Sequence, residues 1–497
     1  MLVRNRRYLN LTVLSGFSYV IAFFHQMLLA YYFGTSSALD GYFYALAILG
    51  LMMVYLNPIK EAIVSTVFER AQNSLEEASE ILTSGLVTLF FMGILTCALI
   101  LLGTNLLDIT HSSEALKNST NVLLLLIPYV FIFALSEMCL IVLTSFDLAE
   151  IQAKARILCV VTTLAVTFFI APIYGVNGIV ASITLGQISI LIISLIGLHG
   201  VGLRIRKNFW IIFKDPQFLL MFFSLLVSYC FSQGYIFLER WALAGTGEGL
   251  ISSYQYASTL VTAMVSVLAY PMINLLWPKL MAYDNKRSNF SILRFAFESA
   301  KPMLVLVTLV CFFIFSTSSE TVTVLFYRGE FDEYSLERTV IALKSTIFAA
   351  IPMTVYTLGV KILISKNLAY PLATISISMA LFGSAVIALS VYLNSTELLL
   401  LHWLISTAFG ALIIIFYLMR DSGIALMEFL KDLLFVAKVG AISYGALFFV
   451  PDLYLGENIA FRLVALIGEG IGYFIMTIFL FWSFGMLPKN LSELLKH

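Results

Sequence analysis

Gly34-Thr35-Ser36-Ser37-Ala38-Leu39-Asp40-Gly41-Tyr42-Phe43-Tyr44-Ala45 has a partner further along the chain in Gly245-Thr246-Gly247-Glu248-Gly249-Leu250-Ile251-Ser252-Ser253-Tyr254-Gln255-Tyr256-Ala257. Gly-Thr and Leu recur at an offset of 211, Tyr-x-Tyr-Ala at 212, and the proline of the following helix, Pro58 or Pro271, at 213. Six apolar helices fit within that offset. An even number makes the two copies run in the same direction, related by an axis along the membrane normal. The expected organisation is two six-helix lobes, residues 1–200 and 216–425, joined by a basic cytoplasmic linker at 201–215. Two further helices and a short tail occupy 426–497. Pro58 and Pro271 each free a backbone carbonyl in the second helix of a lobe and are the candidate hinges.

Composition forces the membrane reading. The 497 residues are 60% apolar and 12% charged, against about 25% charged in a soluble domain. About 20 apolar residues cross a bilayer as a helix, because only a helix satisfies its own backbone there. Fourteen such stretches are expected, centred near Phe23, Leu51, Phe91, Phe131, Thr167, Ser189, Ser228, Ser266, Leu309, Pro352, Ala380, Thr407, Ser443 and Phe474. The fold class is therefore an all-α polytopic membrane protein. With the N-terminus inside, twenty Lys and Arg fall on inside segments and four, Lys117, Arg328, Arg338 and Arg462, on outside ones. That bias puts both termini in the cytoplasm. The connections are too short for a soluble catalytic domain.

Charges at bilayer depth cost about 2.5–3.5 kcal/mol each on insertion scales and so mark function. They are Lys60, Glu61, Glu137, Glu239, Arg240, Lys344, Lys361, Lys438 and Glu469, with His25 and His402 joining when protonated. Lys60-Glu61 and Glu239-Arg240 are sequence neighbours, about 100° apart on a helix, and are not expected to neutralise themselves. One member of each pair is expected to face an aqueous cavity lined by helices one, two, seven and eight. His25, Lys60 and Arg240 are its expected cationic lining, suited to a diphosphate. The competing reading for such residues is a side chain near a helix end that snorkels to the interface, preferred for Lys361 and Lys438.

Other chemistry is absent from the sequence. Net charge is zero, so no basic excess points to nucleic acid. No phosphate-binding Gly-x-x-x-x-Gly-Lys-[Ser/Thr] loop exists, and no ATP site, metal or other cofactor is expected. Transport would draw on a coupling ion or the membrane potential. Cys97, Cys139, Cys159, Cys230 and Cys311 lack metal or redox spacing and read as small core residues.

Three stretches carry a resemblance: Leu29-Ala30-Tyr31-Tyr32-Phe33-Gly34 through Ala45; Glu239-Arg240 to Tyr256-Ala257, ending in Leu275-Leu276-Trp277-Pro278; and Leu325-Phe326-Tyr327-Arg328-Gly329-Glu330-Phe331. They resemble motifs of the lipid II flippase family, MurJ or MviN, within the multidrug/oligosaccharidyl-lipid/polysaccharide exporters. The resemblance implies a flippase that moves undecaprenyl-diphosphate-linked sugars from the inner to the outer leaflet by alternating access. It also implies that Ser18, Tyr19, Asp40 and Thr259 line or gate the cavity. Ser18 and Asp40 match the family's functional positions. Where the family carries cavity arginines, this chain reads Tyr19, His25, Met53 and Thr259. Fewer guanidinium groups weaken the bidentate grip on phosphate, so an exopolysaccharide or O-antigen unit stands beside the peptidoglycan precursor as the expected cargo.

The reading is thus a bacterial inner-membrane flippase, not an enzyme. Lys60, Arg240 and His25 attract the head group; Asp40, Glu61, Glu239 and Glu137 gate or couple. Its partners are the lipid-linked glycan, the bilayer and envelope-polymer biosynthesis proteins. The alternatives are a cation-coupled drug or metabolite antiporter using Glu61, Glu137 and Glu469, and a noncatalytic scaffold of an envelope-polymer assembly complex.

Overall fold

The computed structural model describes the chain except for Met1 and residues 72–73, 111–113, 147, 207–210, 275, 277–288, 367, 423–425, 451–457 and 484–497. Leu275, Trp277 and Pro278, part of the basic linker and the C-terminal tail therefore lie outside the described residues. Every regular element among the described residues is a helix. Among the described residues nine helices are long and apolar enough to cross a membrane, and up to eleven spans result when each of two bent pairs counts as one. These eleven coincide with eleven of the fourteen expected centres. The other three, near Phe23, Ser266 and Ser443, fall in helices Leu2–Phe33, Leu250–Leu268 and Leu426–Leu447.

Both bends have a proline just beyond the break. Helix α1 is Leu2–Phe33, α2 Ser37–Met52 and α3 Leu56–Ala71; α2 and α3 meet at 49°. Pro58 has no N–H to offer the carbonyl of Val54 and its ring crowds that carbonyl, so the helix is interrupted at residues 53–55. Helices α4, Leu75–Thr110, and α5, Glu114–Leu125, follow; α5 meets α6, Ile127–Ser145, at 54°. Pro128 opposes Leu124 there in the same way. Around Pro271 the interruption is slighter, a turn at Ala269 between two helical stretches.

The chain forms two compact units. The first comprises Met1–Tyr256, Gly329–Phe331 and Ser376–Leu399. Its tightest pairing is α7, Ala149–Tyr174, on α8, Val176–Val201. Gly178, Ser182 and Gly186 recur every fourth residue and form a buried small-residue stripe on α8. A Cβ on Gly178 would come within 2.9 Å of the Ala171 Cα, and one on Gly186 would strike the Thr163 hydroxyl. Lipid gives helices no hydrophobic reason to associate, so close backbone approach at small residues carries the packing. Gly186→Leu should separate α7 from α8 and destabilise the protein by about 1–3 kcal/mol; thermal unfolding in detergent would register this as a lower Tm. Helices α9, Pro216–Thr246, and α10, Leu250–Leu268, continue the chain, with the Asp215 carboxylate capping α9 through the Gln217 N–H at 2.9 Å.

The second unit comprises Ala257–Arg328, Asp332–Ile375 and Leu400–His497. Its core joins Asn289–Ser316, α11, to the last two helices through Leu309, Val439, Ala446, Tyr473 and Phe481. The Tyr473 ring stacks on Phe313 with centroids 5.6 Å apart, and its hydroxyl donates to the Leu309 carbonyl at 3.1 Å. A phenol buried in apolar surroundings needs such an acceptor. In this unit Lys344 and Lys438 are exposed, Lys361 is half-buried, and His402 and Glu469 are buried.

Candidate functional site

A cavity of about 400 Å³ lies within the first unit, a volume in the range of small-molecule sites. Helical spacing explains its walls. On α9, Gln233, Ile236 and Arg240 are three and four residues apart and present one stripe; on α1, Ala22, His25 and Gln26 do the same. Helix α2 adds Tyr42, Phe43, Leu46 and Ala47, α7 adds Val160 and Thr163, α8 adds Ile183, and α10 adds Gln255.

Arg240 is the one Lys or Arg among the described lining residues. It is buried, 9% exposed. Its Nη2 donates to Gln255 Oε1, its Nη1 to the Ile251 carbonyl at 3.4 Å, and its carbon centre lies 5.6 Å from the centroid of the Tyr254 ring. Its Nε stands 3.4 Å from Glu239 Oε1. That contact corrects one expectation: adjacent Glu239 and Arg240 do pair, because both long side chains curl toward each other away from the axis. The guanidinium thus has a carboxylate beside it where it meets the cavity.

His25 anchors a chain of hydroxyls behind the wall. Ser182 Oγ donates to the Ile179 carbonyl at 2.7 Å, and Thr167 Oγ1 donates to Ser182 Oγ at 2.7 Å. With its own proton committed, Thr167 accepts from His25 Nε2 at 3.1 Å. The chain's polarity therefore sets the ring so that Nε2 carries hydrogen.

Within the repeat motif, Asp40 is fully buried and takes three donors. The Gly249 N–H reaches Oδ2 at 2.7 Å; the Ser252 N–H and hydroxyl reach Oδ1 at 2.8 and 2.7 Å. A carboxylate on α2 thereby caps the N-terminus of α10, where free N–H groups and the helix dipole favour negative charge. The partner turn answers in kind: Glu248 Oε1 accepts from the Ser37 N–H at 3.3 Å, and the Tyr256 hydroxyl donates to the Gly34 carbonyl at 2.9 Å. Gly249, with φ +77°, leaves no room for a Cβ against the Thr35 carbonyl. Residues 329–331 reinforce this end. The Glu330 N–H donates to the Tyr31 carbonyl at 2.9 Å, and Phe331 is buried against the Tyr256 ring. Gly329, with φ +64°, has the Tyr31 carbonyl where a Cβ would stand. Gly329→Ala should unseat this loop; faster amide hydrogen exchange at Glu330 and Phe331 would report it.

The remaining candidates lie elsewhere. Lys60 does not line the cavity: its Nζ holds Glu137 Oε2 at 2.9 Å, and Arg156 Nη2 approaches the same oxygen at 3.4 Å. Helix α3 bends away after residue 55 and carries Lys60 toward α6 instead. Glu61 is exposed and accepts from the Tyr229 hydroxyl at 2.5 Å. Ser18 is half-buried and Tyr19 44% exposed on α1, and Met53 is buried at the α2–α3 break. Thr259 and Pro271 are half-buried in the second unit, and Pro58 is buried in the first turn of α3. Gln26, Gln233 and Gln255 also line the cavity without carrying a charge; the Gln233/Arg240 spacing of seven along an apolar helix is the sequence signal for Gln233.

The family model described as "Lipid II flippase MurJ" matches residues 29–464. Among solved structures, the chain is similar to a lipid II flippase MurJ in an inward closed conformation, with a TM-score of 0.77 and 17% identity over 96% of this chain and 99% of that one. It is also similar to an inward-facing multidrug resistance MATE transporter of the MOP superfamily, with a TM-score of 0.67 and 14% identity over 82% and 95% of the two chains. A MOP-superfamily transporter from Pyrococcus furiosus follows with a TM-score of 0.56 and 14% identity over 83% and 95%. No curated protein matches the sequence.

Proposed function

The chain belongs to the lipid II flippase MurJ family, and on that premise we propose that it carries a polyprenyl-diphosphate-linked saccharide across the bacterial inner membrane, opening its cavity to each side in turn. The observation that supports this most is Arg240, a buried guanidinium on the wall of a cavity about 400 Å³ in volume. A guanidinium there offers fork-shaped donors to phosphate oxygens, while the polyprenyl tail stays in lipid. With the Lys/Arg bias as the guide to orientation, the Asp40 lock lies on the outer side and holds it shut while the cavity receives cargo from the inside. Release requires those three hydrogen bonds to break, so the two arrangements differ in discrete contacts on which cargo binding can act. His25 and its hydroxyl chain hold α1 against α7 and α8 beside the cargo. The energy comes from an ion gradient or the membrane potential.

A cation antiporter of the same fold would need a carboxylate available to an ion. Glu137, one candidate, is instead held by Lys60 and Arg156, which favours the flippase. The test is reconstitution in lipid vesicles with a fluorescent polyprenyl-diphosphate sugar. Protein-dependent loss of probe from the loaded leaflet is the expected result. Cation efflux with no movement of the probe would overturn the reading in favour of the antiporter.

A further inference from the structure

One carboxylate carries two cations where α3, α6 and α7 meet. Glu137 on α6 is buried, and its Oε2 accepts from Lys60 Nζ at 2.9 Å and from Arg156 Nη2 at 3.4 Å. A single negative charge balances one of them. Lys60 has the shorter contact and a side chain 13% exposed, whereas Arg156 has the longer contact and stands 47% exposed. Among the described residues Glu137 is the one carboxylate within ion-pair distance of Arg156, so most of the five N–H donors of its fork stay open to another acceptor. The cluster holds one positive charge in excess, on its less tightly held member.

Helical spacing puts that charge at the approach to the cavity. Arg156, Val160 and Thr163 are four and three residues apart and share a stripe of α7, of which Val160 and Thr163 line the cavity. Arg156 stands one turn, about 6 Å, nearer the start of the helix. With the Lys/Arg bias as the guide to orientation, that start is the inner side, and an anionic head group arriving from the inner leaflet meets Arg156 before Arg240. Exposed charge at the rim of a site speeds encounter with an oppositely charged ligand. Lys60 makes the arrangement reversible. A buried carboxylate left without a cation is costly; when Arg156 turns to a phosphate, Lys60 stays on Glu137 at 2.9 Å, and no buried charge is stranded. Without Lys60, Arg156 would be held as the remaining partner of Glu137.

We infer that Arg156 is an entry subsite for the diphosphate of the cargo, freed to leave Glu137 by Lys60, which is the standing counter-charge. This rests on the flippase reading above and extends it from the cavity to its approach. Arg240 keeps the head group; Arg156 collects it.

The test uses the full-length protein in phosphatidylcholine vesicles with fluorescent polyprenyl-diphosphate N-acetylglucosamine as the probe. Arg156→Ala should lower the initial flipping rate at low probe density by about ten-fold, leave the maximal rate at saturating density unchanged, and weaken the fall of the rate with added salt. Its melting temperature should stay close to the parent's, because Lys60 still holds Glu137. Lys60→Met should bring a similar loss at low density by fixing Arg156 on Glu137, and adding Glu137→Gln to it should restore the rate. An Arg156→Ala rate equal to the parent's at low density, a loss of the same size at both densities, or a Lys60→Met loss that Glu137→Gln does not relieve would overturn the inference and leave the flippase reading intact. So would a loss in Arg156→Ala that emerges only once phosphatidylglycerol is added, which assigns the guanidinium to bulk lipid head groups. If the parent moves no probe at any density, the flippase reading itself falls and this subsite with it.

Discussion

Arg240→Ala should lower flipping of a polyprenyl-diphosphate sugar by about 100-fold or more. The guanidinium is the one Lys or Arg side chain among the described residues of the cavity wall, and a charge-assisted hydrogen bond contributes about 1.5–3 kcal/mol. Loss of about 2.8 kcal/mol corresponds to about 100-fold in affinity. The single variant carries a second consequence, because Glu239 is 7% exposed and its contact with Arg240 would vanish. Breaking a buried pair by removing one partner costs about 3–5 kcal/mol, so Arg240→Ala should also melt earlier. The double variant with Glu239→Ala separates the two effects: melting temperature should recover while flipping stays lost. Recovery of flipping in the double variant would show that Arg240 serves the fold alone. Arg240→Lys should restore part of the rate, since an ammonium keeps the charge without the fork.

The second large effect is expected from Asp40→Asn. The amide can still accept on one oxygen from Ser252, but its NH2 would face the Gly249 N–H, donor against donor. Loss of the charge-assisted bonds and creation of that mismatch should cost about 3 kcal/mol. For a two-state gate this shifts the population by about 100-fold. Spin labels at Ser36 and Thr246, in a background without the native cysteines, should show one short separation in the parent protein and an added longer one in Asp40→Asn. An unchanged distance distribution would mean that the α2–α10 contact survives without the carboxylate's charge and is no lock. Transport should fall in the same variant, because a gate that does not close lets the cargo slip back.

Much of the fold was legible because span formation is a local property. Twenty apolar residues bury or expose themselves in lipid whatever lies elsewhere in the chain, and eleven of the expected span centres coincide with the spans the structure describes. The bends were half legible. Pro58 marks its break, whereas Pro128, with the same missing N–H, sits within an apolar run that reads as one continuous span. The repeat motif singled out Asp40 and the Gly249 turn as related stretches but gave no sign that one caps the other. On the cavity wall, charge marks Arg240 and His25 in the sequence, whereas the glutamines carry none to mark them, although a carboxamide in lipid also needs partners.

Lys60 and Arg240 mark the boundary between the two kinds of knowledge. The sequence alone placed both on apolar helical stretches, since that follows from the residues on either side of each. Only the tertiary structure decided that Arg240 reaches a cavity while Lys60 turns to Glu137. Electrostatic attraction falls with distance and strengthens out of water, so the partner of a buried charge is settled by which helix packs within a few ångströms of it. No sum over neighbouring residues in the chain contains that separation.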